Sequence, residues 1–209
     1  MENRRHFIKR VACIFSGISF FSGLFPPALK NIFGAGIKSG DAQGNISSGN
    51  RDPGEMQLTP LESFGVMGRT DIEVDLDKWR LEIEDKYGRI FKYSYDEILT
   101  LPPVERKITQ VCPGYFENHG LWKGFSLGKI IKDLGLDSGV EKVIISGLNG
   151  KNEKEAKFSI DSVFNDDVFL VYEVNREILP VRNGFPLRVA ANKKMGDYWI
   201  KYVNKVKLV

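Results

Sequence analysis

Cys112 carries the most pointed chemistry in this sequence. The chain has two cysteines, and the other, Cys13, lies inside the apolar run from Val11 to Phe25. If that run is removed, Cys112 is left with no partner for an internal disulfide. A single thiol is prone to oxidation unless a soft metal holds it or a core buries it. Close behind it, in Cys112-Pro113-Gly114-Tyr115-Phe116-Glu117-Asn118-His119, come two candidate catalytic groups. His119 titrates near neutral pH and could move a proton, or could simply bond to loop backbone. Tyr115 offers a phenolic donor to a substrate, or a cover for whatever the thiol holds. Further on stand Asn183, Arg188 and Lys201. Read alone, these are a left-handed turn residue before Gly184 and two strand-face charges.

The elements that position these residues follow from periodicity and capping. Trp79 to Glu84 alternates with period two and predicts a strand, with a turn at Lys86-Tyr87-Gly88. Ser94 with Glu97 forms a capping box for a helix over Tyr95 to Leu99, which Pro102-Pro103 ends. Lys107 to Val111 predicts a strand that delivers Cys112 at its end, followed by a loop over residues 113–121. Ser126 caps a helix with Leu127, Ile130, Ile131 and Leu134 on one face, closed by Gly135. Val143–Ile145, Val168–Tyr172, Leu187–Ala190 and Trp199–Leu208 supply further strands. Short helices among strands without a regular βαβ rhythm predict an α+β domain with mixed sheets. No phosphate-binding glycine loop, dinucleotide fingerprint or haem-attachment motif occurs.

The beginning of the chain carries an address. Arg4-Arg5-His6-Phe7-Ile8-Lys9, leading into the apolar run, resembles a twin-arginine export signal. That resemblance implies folding in the cytoplasm, often around a preloaded cofactor, and delivery to the periplasm by the twin-arginine export machinery. The run contains Ser16, Gly17, Ser19, Ser22 and Gly23, which makes it a weak membrane span, and an uncleaved N-terminal anchor stays open. Residues 1–36 therefore read as the signal region, 37–56 as a flexible linker and 57–209 as one domain. A hydrophobic content of 42% with 27% charged residues suits a globular domain with a real core. The net charge of +3 is already exceeded by Arg4, Arg5, Lys9 and Arg10, so nothing points to nucleic acid.

From Leu58 to Val209 the sequence resembles the oxidoreductase molybdopterin-binding domain of sulfite oxidases and periplasmic methionine sulfoxide reductase catalytic subunits. The resemblance rests on Leu58-Thr59-Pro60, the strand around Trp79, Tyr95 to Pro102, and Cys112 followed by Trp122-Lys123-Gly124-Phe125-Ser126-Leu127. It continues in Asn183-Gly184-Phe185-Pro186-Leu187-Arg188 and Met195-Gly196-Asp197-Tyr198-Trp199-Ile200-Lys201. It implies a sulfite oxidase-type fold and a molybdenum held by a pterin dithiolene, with Cys112 as the metal ligand. It also implies that Asn183, Arg188, Trp199, Ile200 and Lys201 hold the pterin and its phosphate. The family's Gly-Asn-Arg-Arg-type run after the cysteine is replaced, because Tyr115 and Phe116 stand where Asn and a sulfite-binding Arg would be. The expected activity is therefore oxygen-atom transfer on a small molecule, with reduction of an S- or N-oxide favoured over oxidation of sulfite. No second redox centre is apparent, so electrons are expected from a separate haem or quinone-linked partner, and the catalytic domain is expected to be monomeric. The alternative is a catalytically inactive binding module that kept the molybdopterin fold.

Overall fold

A computed structural model describes residues 56–149 and 152–209. The twin-arginine motif, the apolar run with Cys13 and the expected linker up to residue 55 lie outside the described residues.

Alternation of apolar and charged residues gives β1 (Leu81–Glu84), in which Leu81 and Ile83 are fully buried, and the chain turns back into β2 (Ile90–Tyr93). Ser94 and Glu97 close the capping box that starts α1 (Tyr95–Leu99). β3 (Pro103–Cys112) and β4 (Phe116–Phe125) then form a long hairpin, paired from Pro103 opposite Phe125 to Cys112 opposite Phe116. α2 (Leu127–Asp133) starts at Ser126, whose hydroxyl accepts from the Lys129 N–H at 3.1 Å, and Gly135 follows it at φ 65°. The rest of the chain runs through β5 (Lys142–Asn149), β6 (Asn152–Ser159), α3 (Ile160–Phe164), β7 (Val168–Val174), β8 (Glu177–Ile178), β9 (Arg188–Ala191) and β10 (Val203–Leu208).

These elements make one α+β domain with two five-stranded sheets. The first has the order β2-β1-β10-β5-β6 and is mixed, because β1 and β10 run parallel. The second has the order β3-β4-β7-β8, with β9 also paired to β7, and its pairings are all antiparallel. A single buried cluster draws Ile83, Ile145 and Val206 from the first sheet and Trp122, Leu170 and Val189 from the second. Each such fully buried side chain contributes about 1.5–3 kcal/mol of transfer free energy.

Two expectations are corrected. The stretch 113–121 is no open loop: only Pro113–Tyr115 turns, with Gly114 at φ 78° and the Tyr115 N–H donating to the Cys112 carbonyl at 3.0 Å. Gly120 and Gly124 lower the strand propensity of this segment, yet packing demands both. A Cβ on Gly120 would lie 2.6 Å from Trp122 Nε1, and one on Gly124 would collide with the Leu170 carbonyl of β7. The last strand is shorter than its apolar pattern predicts. Residues 199–202 stay outside it, with Tyr202 at φ 55°, and β10 starts only at Val203. That departure turns Trp199, Lys201 and Tyr202 toward the cavity described next.

Candidate cofactor site

Cys112 ends β3 at the mouth of a cavity of about 350 Å³. The strand ladder fixes its backbone while its side chain is only partly buried. Two neighbours confine the thiol. Met67 Sδ lies 3.0 Å from Cys112 Sγ, and Gly196 leaves an open flank where a Cβ would come within 3.5 Å of the sulfur. A short parallel bridge between Val111 and Met195 sets that flank in place. Among the described residues no group of three or more His, Cys, Asp and Glu gathers around a possible metal position. A metal held here would have the Cys112 sulfur as its protein ligand, and would need a soft ligand set of its own.

The cavity also carries positive charge. Arg69, Lys154, Arg188 and Lys201 all line it. The first two are compensated. Arg69 is bonded to both carboxylate oxygens of Asp71, at 2.8 and 3.1 Å, and Lys154 reaches Asp197 at 3.4 Å. Arg188 and Lys201 have no carboxylate partner within ion-pair distance among the described residues.

Arg188 is 2% exposed, donates from Nη1 to the Asn183 carbonyl at 2.9 Å, and leaves its Nε without a partner. Its guanidinium lies 5.2 Å from the Trp122 ring and 5.4 Å from the Trp199 ring, which offer only weak compensation. Burial holds its pKa down at about 9. Lys201 is depressed to about 8, first by burial and then by the nearby Arg188 and Lys154 charges; its Nζ donates to the main-chain oxygens of Arg69 and Arg182. Buried cations without counter-charges are costly. Their cost is recovered when an anion sits between them.

Asn183 adds a second set of unmet groups. It is 1% exposed, and neither its Oδ1 nor its Nδ2 has a hydrogen-bond partner. A buried primary amide left open costs the desolvation of both atoms. Next to it, Gly184 at φ 111° lets the chain pass against the Lys201 side chain, where a Cβ would come within 2.9 Å. A thiol, two uncompensated cations and an open amide form a donor set suited to a soft metal bound through a phosphorylated heterocycle. The residues present fit a molybdenum-pterin group.

The structure thus gathers Cys112, Arg188, Trp199 and Lys201 around one cavity, with Asn183 bonded to Arg188 beside it. Ile200 is fully buried and does not line the cavity; its carbonyl accepts from the Val189 N–H at 2.8 Å. Tyr115 is 76% exposed at the hairpin tip and does not line it either. His119 is placed elsewhere for a simple reason of pleat. In register it opposes Thr109, so it points to the face away from Cys112 and Gln110, where its Nδ1 bonds to Thr109 Oγ1 at 2.9 Å. Phe116, in contrast, lines the cavity beside the thiol.

Sequence reasoning missed Gln110, Met67, Arg69 and Lys154. Gln110 was within reach, since it lies two positions before Cys112 on an alternating strand and must share its face. Met67 and Arg69 sit on an irregular segment whose path no periodicity reveals.

The profile of the oxidoreductase molybdopterin binding domain matches residues 67–209, and the chain belongs to that family. It is similar to a protein of Azospira oryzae provisionally named protein-methionine-sulfoxide reductase subunit YedZ1, with 23% identity over 152 residues, which is 72% of this chain and 57% of that protein. In structure it is similar to the sulfane dehydrogenase SoxCD from Paracoccus pantotrophus, with a TM-score of 0.61 and 17% identity, over 93% of this chain and 58% of that chain. The fold is thereby that of the sulfite oxidase-type molybdopterin-binding domain. The chain spans less than two thirds of the length of both relatives.

Proposed function

We propose that this domain is an exported molybdenum-pterin oxidoreductase that moves one oxygen atom, and that it reduces small neutral S- or N-oxides in preference to oxidising sulfite. When bound, the molybdenum-pterin group supplies the two-electron redox chemistry. Cys112 would hold the metal through its sulfur. Arg188 and Lys201 would hold the phosphate, and the open amide of Asn183 would meet the polar edge of the pterin. Phe116 and Met67 make the wall beside the thiol apolar.

The observation that carries the choice of substrate is Phe116 on the cavity wall next to Cys112, at the position where the family resemblance would put a substrate arginine. Arg69, another cation of the cavity lining, is engaged by Asp71 in a bidentate pair. Lys123 is no candidate, because it is paired with Glu173 at 2.9 Å away from the cavity. With Arg188 and Lys201 assigned to the phosphate and Arg69 engaged by Asp71, a dianion beside the thiol finds no free cation and pays its desolvation in full. The test compares specificity constants for dimethyl sulfoxide and sulfite on one molybdenum-replete preparation with artificial electron carriers. Faster sulfite oxidation by that measure contradicts the reading.

Delivery to the periplasm by the twin-arginine route belongs to the same proposal, supported by the motif at Arg4-Arg5. So does a separate haem or quinone-linked electron partner, supported by the naming of the Azospira relative as a reductase subunit.

A further inference from the structure

Gln110 and Asn118 stand opposite each other in the β3–β4 ladder, on the same face as Cys112 and Phe116. Asn118 is 1% exposed and clamps the backbone of Gly65 from both sides. Its Oδ1 accepts from the Gly65 N–H at 2.9 Å, and its Nδ2 donates to the Gly65 carbonyl at 2.9 Å. The Gly65 N–H can only donate and the Gly65 carbonyl can only accept, so the Asn118 amide can sit only one way round. Its remaining hydrogen then goes to Gln110 Oε1, at 3.1 Å. That contact in turn fixes the Gln110 amide, with its oxygen toward Asn118 and its NH2 directed away from it. Gln110 is 6% exposed, lines the cavity, and its Nε2 has no hydrogen-bond partner among the described residues. The polarity of the Gly65 backbone is passed through two side chains to the cavity wall.

We propose that Gln110 is a specificity-determining residue whose Nε2 donates a hydrogen bond to the oxygen of a small, neutral S-oxide or N-oxide, held between the thiol end of the cavity and the apolar wall of Phe116 and Met67. This rests on the proposed function and names how that site chooses its substrate. A neutral amide is a good donor to the strongly polarised oxygen of a sulfoxide or amine oxide. It brings no charge, so it cannot offset the desolvation of sulfite. An arginine would favour the anion through a bidentate, charge-assisted pair; Gln110 cannot. The apolar wall suits the alkyl part of the same molecules. Asn118 is a positioning residue, because it acts only through Gln110.

The test uses the molybdenum-loaded protein, with all values expressed per bound molybdenum. A dialkyl sulfone carries the same oxygen acceptor and serves as a binding probe, its dissociation constant read by calorimetry. KM and kcat are read in parallel with dimethyl sulfoxide. Gln110→Met and Gln110→Glu should each weaken sulfone binding and raise KM by about tenfold, the loss expected for one unmet hydrogen bond, with kcat nearly unchanged. Asn118→Asp cannot donate to Gln110, so the Gln110 amide should turn its oxygen to the cavity and give the same loss from outside it. Adding Gln110→Glu to Asn118→Asp should then cost nothing further. If Asn118→Asp lowers the melting temperature, the two Gln110 variants decide alone. Sulfone binding and KM within about twofold of wild type in Gln110→Met overturn this inference and leave the proposed function standing. A wild-type protein that binds no sulfone and reduces no S-oxide overturns both.

Discussion

Arg188 Nη1 donates to the main-chain oxygen of Asn183 at 2.9 Å, while the Arg188 Nε and both polar atoms of the Asn183 side chain stay buried and unpartnered. One hydrogen bond therefore joins the most buried cation among the described residues to a buried amide whose side chain makes no hydrogen bond. Neither group stabilises the fold as it stands. Both are explained by a polar anionic occupant.

The first prediction separates stability from binding at this pair. Arg188→Met removes an uncompensated buried charge and keeps the volume against Trp122 and Trp199. Replacing a buried ion by a packed apolar side chain is commonly neutral or stabilising by about 1–4 kcal/mol. The cofactor-free variant should melt at the same temperature as the wild type or higher, while retaining no pterin by fluorescence of the oxidised extract. Lower stability together with full pterin content would contradict the assignment.

The second concerns pH. Lys201 titrates at about 8 in the fold, against its ordinary 10.5. Between these values the unfolded chain holds a proton that the folded chain has released, so stability from this group rises with pH across that window. Below about 8 both states are protonated and the full penalty applies. Arg188, at about 9, adds a rise of the same sign at higher pH. Anion binding runs the opposite way, because it needs the protonated lysine. Affinity of the cofactor-free protein for pyrophosphate should fall roughly tenfold per pH unit above the Lys201 pKa, by proton linkage. Lys201→Gln should weaken binding at neutral pH and abolish the first part of that fall. Calorimetric titrations at several pH values check both statements.

The third tests the long hairpin. Gly124→Ala places a methyl against the Leu170 carbonyl and the Val171 Cα of β7. Backbone cannot swing aside as a flexible side chain would, so the change should cost about 3 kcal/mol or more. Gly114→Ala has open space at its Cβ and only the strain of φ 78°, and should cost about 1 kcal/mol. Urea denaturation of the two variants gives the order, and equal costs would mean that β4 and β7 do not pack as described.

The fourth prediction addresses the address. If the proposed twin-arginine route operates, Arg4→Lys with Arg5→Lys should leave folded, cofactor-loaded protein in the cytoplasm, because such a route reads the arginine pair as an address. Fractionation with a molybdenum assay checks this. Unchanged export would point to a general secretory route.

Much of the fold was legible because several elements announce themselves locally. Ser94 with Glu97 and Ser126 with Gly135 fix helix ends by hydrogen bonds that the residues make with their own neighbours. β4 was hidden because its Gly120 and Gly124 answer to Trp122 and to the β7 backbone, contacts that are distant in sequence or invisible to propensity. The same distinction divides the site. Cys112, Arg188 and Lys201 could be singled out by residue type and by family resemblance, and the structure brings them to one cavity. His119 was misplaced by reading a strand as a loop: in a loop it could turn to the thiol, but in β4 the pleat sends it to the other face. Gln110 acquires its role only through Asn118 and Gly65, a relay across three segments that no local pattern contains.

The central claim is that Cys112 holds a molybdenum-pterin group in this domain. Its most direct measurement is metal and pterin content per chain in protein purified after native export, for the wild type and for Cys112→Ser. A single soft ligand site predicts about one molybdenum and one pterin per wild-type chain. In Cys112→Ser molybdenum should be largely lost, since a hydroxyl is a hard and poor substitute for a thiolate. The melting temperature of the cofactor-free variant should stay close to that of the cofactor-free wild type. Wild-type protein without molybdenum, or a serine variant that retains its full metal content, would contradict the account.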